Sequence, residues 1–244
     1  PRGKPISFQR MPFLVELYTD GLKVGGWDIQ KAVQTGGTET MIQLLLYEAG
    51  WENRSIAYVL PTSAMRDRFV RTRIDDILMQ VPAYRRLLPG EEGGSKEGAI
   101  SRRLKRFGAG TIFFLGSNSA SDFTEFSADT LIIDEVDHCD LNNLEMARDR
   151  LKESPRPQLF RIGNPKTPGV GICLLYEEGD RRQYHWRCNH CNHWQVMDWW
   201  LHFVEQQDDF TWSLRHPSGH PVCLKCKDPM QRDTRSGCLV AEYP

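Results

Sequence analysis

Leu131-Ile132-Ile133-Asp134-Glu135-Val136-Asp137 decides how this chain folds. Its three apolar residues run without alternation, the pattern of a strand buried on both faces, as in a parallel sheet. The run then stops in acid. Two adjacent carboxylates at the C-terminal end of a buried strand sit where open α/β sheets place their ligands. There they can divide the work of nucleotide hydrolysis: Asp134 reaches toward a magnesium ion and Glu135 polarises an attacking water, the Walker B arrangement. A strand that ends in a solvated acidic turn has the same letters, so the reading turns on whether a phosphate loop lies upstream.

Upstream, Val24 to Gln30 reads as a strand, followed by Lys31-Ala32-Val33-Gln34-Thr35-Gly36-Gly37-Thr38. A helix pattern begins at Thr38, with Met41, Ile42, Leu45 and Leu46 on one side and Gly50 as its stop. Strand, glycine loop and helix form the context a phosphate loop requires. Backbone N–H groups at the helix start face the phosphates, and the helix dipole adds to the attraction. The letters depart from G-x-x-x-x-G-K-[ST]: Lys31 stands first, and Gly37 stands where the lysine is expected. Thr38 keeps its place as a magnesium ligand. A lysine at the front of the loop can fold back over the β- and γ-phosphates on its flexible stem, because the chemistry needs a cation there rather than a particular peptide origin. The competing reading is a degenerate loop that binds poorly and hydrolyses nothing.

Further apolar strands alternate with helical patterns. Ser55 to Leu60 ends at Pro61-Thr62-Ser63 and leads into a basic helix with Arg66, Arg68, Arg71 and Arg73. Those arginines suit either a nucleic-acid backbone or a solvated helical face. Thr111 to Gly116 is a third strand, ending at Ser117-Asn118-Ser119, and residues 142–152 read as a helix. Gln158 to Ile162 is a strand ending at Gly163-Asn164-Pro165. Residues 6–22 open with a helix in which Pro12 suits the first turn and Phe13, Leu14, Leu17 and Tyr18 share a face. Residues 89–100 are a flexible loop by composition. The alternation predicts an α/β domain over residues 1–175, a mostly parallel sheet flanked by helices of the P-loop NTPase (ASCE) type.

The 244 residues allow one large domain, or one large and one small. Hydrophobic content of 40% and charged content of 26% are ordinary for a globular chain. No apolar run approaches a membrane span, so no membrane partner is expected. The opening Pro1-Arg2-Gly3-Lys4-Pro5 shows no secretion leader and no initiator Met, which leads us to expect a fragment. A net charge of -1 excludes a polycation, but the charge is uneven. Residues 66–106 hold 11 Lys/Arg against 6 Asp/Glu, and residues 121–153 hold 3 against 10. This fits a polyanion contact beside a metal site, and equally two solvated faces.

Seven cysteines, with no secretion signal, point to metal rather than disulfides. Cys188-Asn189-His190-Cys191 and Cys223-Leu224-Lys225-Cys226 form two C-x-x-C pairs, separated by 31 residues. Each resembles a zinc knuckle, and together they supply four thiolates for a tetrahedral site in a ribbon-like module over residues 176–244. His185, His190, His193 and His220 read as surface residues. Trp194, Trp199, Trp200, Phe203, Phe210 and Trp212 are expected to form the module's core rather than a base-stacking surface.

These motifs together resemble the ATPase portion of the tailed-phage terminase large subunit, in its lambda-type branch. The resemblance runs along essentially the whole chain. It takes in Gly3-Lys4 with Phe8 through Tyr18, the lysine-first loop, Leu60-Pro61-Thr62, Leu115 to Ser119 and Leu131 to Asp137. It ends with Tyr176-Glu177-Glu178-Gly179-Asp180-Arg181-Arg182 leading straight into Cys188. The resemblance implies an ATP hydrolase that translocates double-stranded DNA into a procapsid in the cytoplasm of an infected bacterium. It implies the portal protein and the small terminase subunit as partners, and a homo-oligomeric ring as the active form. Its cofactors would be ATP, Mg2+ and Zn2+. Phe8 and Gln9 would read the adenine; Lys31, Thr35, Gly36, Gly37 and Thr38 would hold the phosphates; Thr38 and Asp134 would hold magnesium; Glu135 would orient the water. Asn164 would take the place of the family's Ser/Thr-Thr-Pro coupling motif, and an arginine finger would come from a neighbouring subunit. No nuclease acidic cluster follows residue 226, so nuclease activity is not expected. A helicase-like ATPase, or a zinc-ribbon binding module on a silent α/β domain, would share many of these letters. Gly37 favours the silent domain.

Overall fold

Thr130 to Asp134 forms a fully buried strand, and its side chains separate by parity. In the computed structural model, Ile132 joins one apolar layer, while Leu131 and Ile133 join the other. A period-2 strand with β-branched residues on both faces can be covered only by helices on both sides. The structure describes residues 8, 11–20, 25–89, 101–231 and 237–243. They fall into two units: one built on Tyr18–Gly179, the other on Asp180–Pro244 together with the described part of residues 7–17.

The first unit runs, after the end of α1 (Leu14–Asp20), through β1 (Gly26–Gln30), α2 (Gly37–Gly50) and β2 (Ser55–Leu60). The basic segment follows as α3 (Ser63–Phe69), a π-helical turn (Val70–Ile74), α4 (Asp75–Gln80) and α5 (Pro82–Arg85). Then come β3 (Leu104–Phe107), β4 (Gly110–Gly116), β5 (Thr130–Asp134), α6 (Leu141–Asp149), β6 (Gln158–Gly163) and α7 (Ile172–Glu178). The sheet order is β1-β6-β5-β2-β4-β3, parallel throughout except for β3 against β4. Residues of α2 such as Met41, Ile42 and Leu45 pack on Ile56 and Tyr58 of β2, Ile132 of β5 and Phe160 of β6. On the opposite face Leu144 and Ala147 of α6 and Ile172 of α7 cover Val59, Leu131 and Ile133.

The strand order sets the width of the mouth at the C-terminal end of the sheet. β6 lies between β1 and β5, so the loop after β1 and the acids after β5 are two strand spacings apart, about 10 Å. That gap above β6 is open to side chains reaching in from both sides.

β3 has no counterpart among the expected strands. Its letters, Leu104-Lys105-Arg106-Phe107, look like a charged loop. Lys105 is nevertheless buried, with its amine 2.8 Å from Asp75 on α4, and Gly108 (φ 61) turns the chain back into β4. A tertiary ion pair makes this strand, and local sequence does not announce it.

In the second unit β7 (Gln183–Arg187) lies between β8 (Trp194–Val196) and β11 (Gly237–Val240), all antiparallel. Between β8 and β11 come a short helix, α8 (Trp199–His202), and a hairpin of β9 (Val204–Gln206) with β10 (Trp212–Leu214). Glu16 accepts from the Leu239 N–H at 2.7 Å, and Phe13 meets Tyr184 edge-on, which ties residues 11–17 to β7 and β11.

The expected aromatic core is not there. Trp194, Trp199, Trp200 and Trp212 are about half exposed and Phe210 is 81% exposed. The centre is Cys188, Cys223 and Met230, flanked by Trp186, Cys191, Met197 and Cys226. Sulfur fills the middle, and three-residue strands offer no second layer to cover the rings. They pair on the surface instead, Trp200 with Trp212 and Trp199 with Phe203.

Candidate nucleotide site and cysteine centre

The loop between β1 and α2 continues the sheet pairing for one residue, with the Lys31 N–H donating to the Gly163 carbonyl at 2.9 Å. Thr35 Oγ1 closes the turn onto the Ala32 carbonyl at 2.8 Å. Gly36 then takes a left-handed conformation (φ 83) and precedes α2 without any side-chain cap. Uncapped N–H groups at a helix start are an anion site.

Gly37 explains the displaced lysine. A Cβ at this position would lie 2.8 Å from Lys31 Cδ. The stem of Lys31 therefore crosses the space that a side chain at 37 would fill. Its amine ends 2.8 Å from Glu135 Oε1, with the lysine side chain only 10% exposed. The two side chains close the gap above β6 from opposite ends.

Beside this pair lies a second contact. Thr38 Oγ1 donates to Asp134 Oδ2 at 2.9 Å, and the Tyr58 hydroxyl donates to the same oxygen at 2.8 Å. Asp134 Oδ1 is buried and has no hydrogen-bond partner among the described residues. Burial pushes the Asp134 carboxyl up, against the pull of the Tyr58 hydroxyl and the nearby Lys31 charge. An orphaned buried carboxylate oxygen beside a threonine hydroxyl with lone pairs to spare fits a hard, oxygen-seeking divalent cation.

Glu135 itself is left-handed (φ 57), which turns its side chain out of the strand direction toward Lys31. Cys139 lies under the acidic turn, its Sγ within 4 Å of the Asp134 and Glu135 carbonyls. Asp137 Oδ1 accepts from the Ile172 N–H at 2.6 Å, joining this turn to the start of α7. Asn164 is exposed at the end of β6, next to the loop. Phe8 is half-buried and groups with the second unit, and Gln9 lies outside the described residues. Tyr58 and Cys139 escaped the sequence reading because each resembles ordinary core. The signal for Tyr58 is register: it stands opposite Ile132, two residues before Asp134.

In the second unit the Sγ atoms of Cys188, Cys191, Cys223 and Cys226 all lie within 4.8 Å of one another. The Cys188–Cys226 and Cys191–Cys223 sulfur pairs are 3.7 Å apart. A tetrahedron with metal–sulfur bonds of about 2.3 Å has edges of about 3.8 Å, so the spacing fits a bound ion. Both knuckles close alike, on left-handed Asn192 and Lys227. Burial raises the Cys223 thiol, but the Cys226 and Lys225 N–H groups more than offset this and bring it down to about 6. The four histidines lie outside this cluster.

A parallel sheet with an uncapped glycine loop on one strand and paired carboxylates on the next but one defines a P-loop NTPase. The family model for the phage terminase large subunit gpA, ATPase domain, matches residues 5–241. The chain belongs to that family. It is 23% identical over 217 residues to the terminase large subunit of Escherichia phage lambda, covering 81% of this chain and 32% of the relative. It is 24% identical over 178 residues to that of Enterobacteria phage P21, covering 68% and 27%. The chain thus spans about a third of the length of these relatives. The HK97 bacteriophage large terminase shares the fold, with a TM-score of 0.54 and 13% identity over 71% of this chain and 36% of that one.

Proposed function

We propose that this chain hydrolyses ATP to drive double-stranded DNA into a procapsid. The observation that carries the reading is the Lys31 stem laid across Gly37, with its amine 2.8 Å from Glu135. It places a cation at the mouth of an uncapped helix start, beside a carboxylate that can act as base.

The roles follow from position. Lys31 and the N–H groups of residues 35–38 hold the phosphates, and Asn164, exposed just after β6, is our assignment for coupling. An incoming triphosphate competes with Glu135 for the Lys31 amine. As the amine turns to the γ-phosphate, Glu135 is released to take a proton from the attacking water. Thr38 Oγ1 and Asp134 Oδ1 would hold magnesium, which would supply positive charge to the phosphates. Cys188, Cys191, Cys223 and Cys226 would hold zinc, which would cross-link the module in place of an apolar core. Phe8 and Gln9 remain our assignment for the adenine side.

The family resemblance extends the proposal to partners: DNA, the portal protein, the small terminase subunit, and further copies in a ring that supplies an arginine finger. The setting is the infected bacterial cell.

The test is ATP turnover by the purified chain with and without double-stranded DNA, alongside a strand-separation assay. Nucleotide-dependent turnover without strand separation supports the proposal. Tight nucleotide binding with no turnover under any assembly condition makes the domain silent, and strand separation makes it helicase-like.

A further inference from the structure

Asp134 is held in a way that the phosphate-loop motifs do not specify. Tyr58 is completely buried, and its hydroxyl donates to Oδ2 at 2.8 Å. Thr38 donates to that same oxygen at 2.9 Å. Both donors meet one atom, and the other carboxylate oxygen, itself buried, finds no hydrogen-bond partner among the described residues. A buried polar atom without a partner is costly, so such an arrangement marks a place where something else binds.

The terminal torsion of an aspartate is soft and roughly two-fold. A lone carboxylate at the end of β5 would rotate and share its oxygens between donors. Tyr58 cannot follow such a rotation. Its ring is stacked on Phe69 at 4.9 Å and 19°, and it packs against Phe114 at 6.2 Å. The phenol oxygen is therefore a fixed point, set by the sheet and by the helix that crosses it. Thr38 stands in the first turn of α2, at the end our proposal gives to phosphate, and no ring contact among the described residues clamps its hydroxyl.

We propose that Tyr58 is a positioning residue for the metal: it locks the rotation of the Asp134 carboxylate so that Oδ1 faces the cation of the bound nucleotide complex. This rests on the assignment of Asp134 to magnesium. Tyr58 touches neither nucleotide nor metal, and acts only through the aspartate.

Tyr58→Phe removes the hydroxyl and keeps both ring contacts. The readout is Mn2+ binding to the ADP complex, followed by electron paramagnetic resonance, with metal-free ADP affinity and melting temperature measured in parallel. We expect the Mn2+ dissociation constant to rise about tenfold, as for loss of a hydrogen bond to a charged group. Metal-free ADP affinity should stay unchanged. Phe69→Leu keeps the hydroxyl but loosens its clamp, and should raise the Mn2+ constant by a smaller factor. Unchanged Mn2+ affinity in Tyr58→Phe overturns the role. So does a parallel loss of metal-free ADP binding, which would make the hydroxyl a support of the fold. Wild-type protein that binds no Mn2+ with ADP overturns the magnesium assignment itself. Wild type that binds it, with both variants unchanged, overturns Tyr58 alone.

Discussion

Lys31 and Gly37 are one device: the lysine stem lies where a side chain on residue 37 would be, with Cδ 2.8 Å from the missing Cβ. On our proposal, the exchange of letters that made the loop look degenerate is a change in the direction from which the cation arrives. Gly37→Ala separates this from simple loss of stability. Alanine favours a helix by up to about 1 kcal/mol over glycine, so the melting temperature should hold or rise. The methyl group displaces the lysine stem, and ATP affinity should fall by about tenfold, the worth of one charge-assisted contact. Isothermal titration with a non-hydrolysable analogue checks it. Unchanged affinity would show that the amine reaches the phosphates by another path.

Glu135→Gln should behave differently. The amide keeps the size of the side chain and surrenders its basicity. ATP binding should persist, and turnover should fall by about a hundredfold or more, the usual share of a general base. Single-turnover hydrolysis resolves binding from chemistry. Turnover at the wild-type rate removes Glu135 from the mechanism.

The cysteine centre predicts a split response to chelation. The purified chain should carry zinc at one equivalent per chain, by elemental analysis of the single cluster found among the described residues. Stripping it should unfold the region around Cys188 and Cys223, since structural zinc contributes on the order of 10 kcal/mol in small modules. Phosphate binding by the first unit should survive, and any loss should fall on the adenine contacts assigned to Phe8 and Gln9. Cys223→Ser should reproduce the effect, and a metal-free chain with an unaltered melt would exclude a structural ion.

Asp122 makes a purely structural prediction. Its carboxylate, buried in the 3-10 turn Ala120–Phe123 that follows β4, accepts from Arg66 at 2.9 Å, from Ser119 at 3.1 Å, from the Gly116 N–H at 3.3 Å, and from Arg103. Among the described residues, Asp122→Ala leaves the buried Arg66 with Asp67 alone as a salt-bridge partner. We expect a loss of about 3 kcal/mol in urea unfolding, in the range for breaking a buried pair. A loss within about 0.5 kcal/mol, the scale of surface substitutions, would mean that the loop relaxes around the gap.

Much of this was legible in the letters. Leu131 to Asp134 read as a two-faced strand, and the glycine loop before Thr38 read as the start of a helix, as the structure has them. Such segments are fixed by burial parity and by backbone freedom, both local properties. What escaped depends on partners distant in the chain. Lys105 can be buried in a strand because Asp75 on α4 meets its amine, and Tyr58 became informative only once β2 was paired with β5. The tryptophans of the second unit misled for a related reason. Composition counts apolar residues, but it does not say that sulfur already occupies the centre.

Glu135 keeps a left-handed backbone that a non-glycine residue holds at a cost of about 1 kcal/mol or more. Glycine would relax it, yet it would supply no carboxylate and would leave the nearly buried Lys31 amine without its partner. The strained turn is thus held in place by the same side-chain contact that our proposal puts to work.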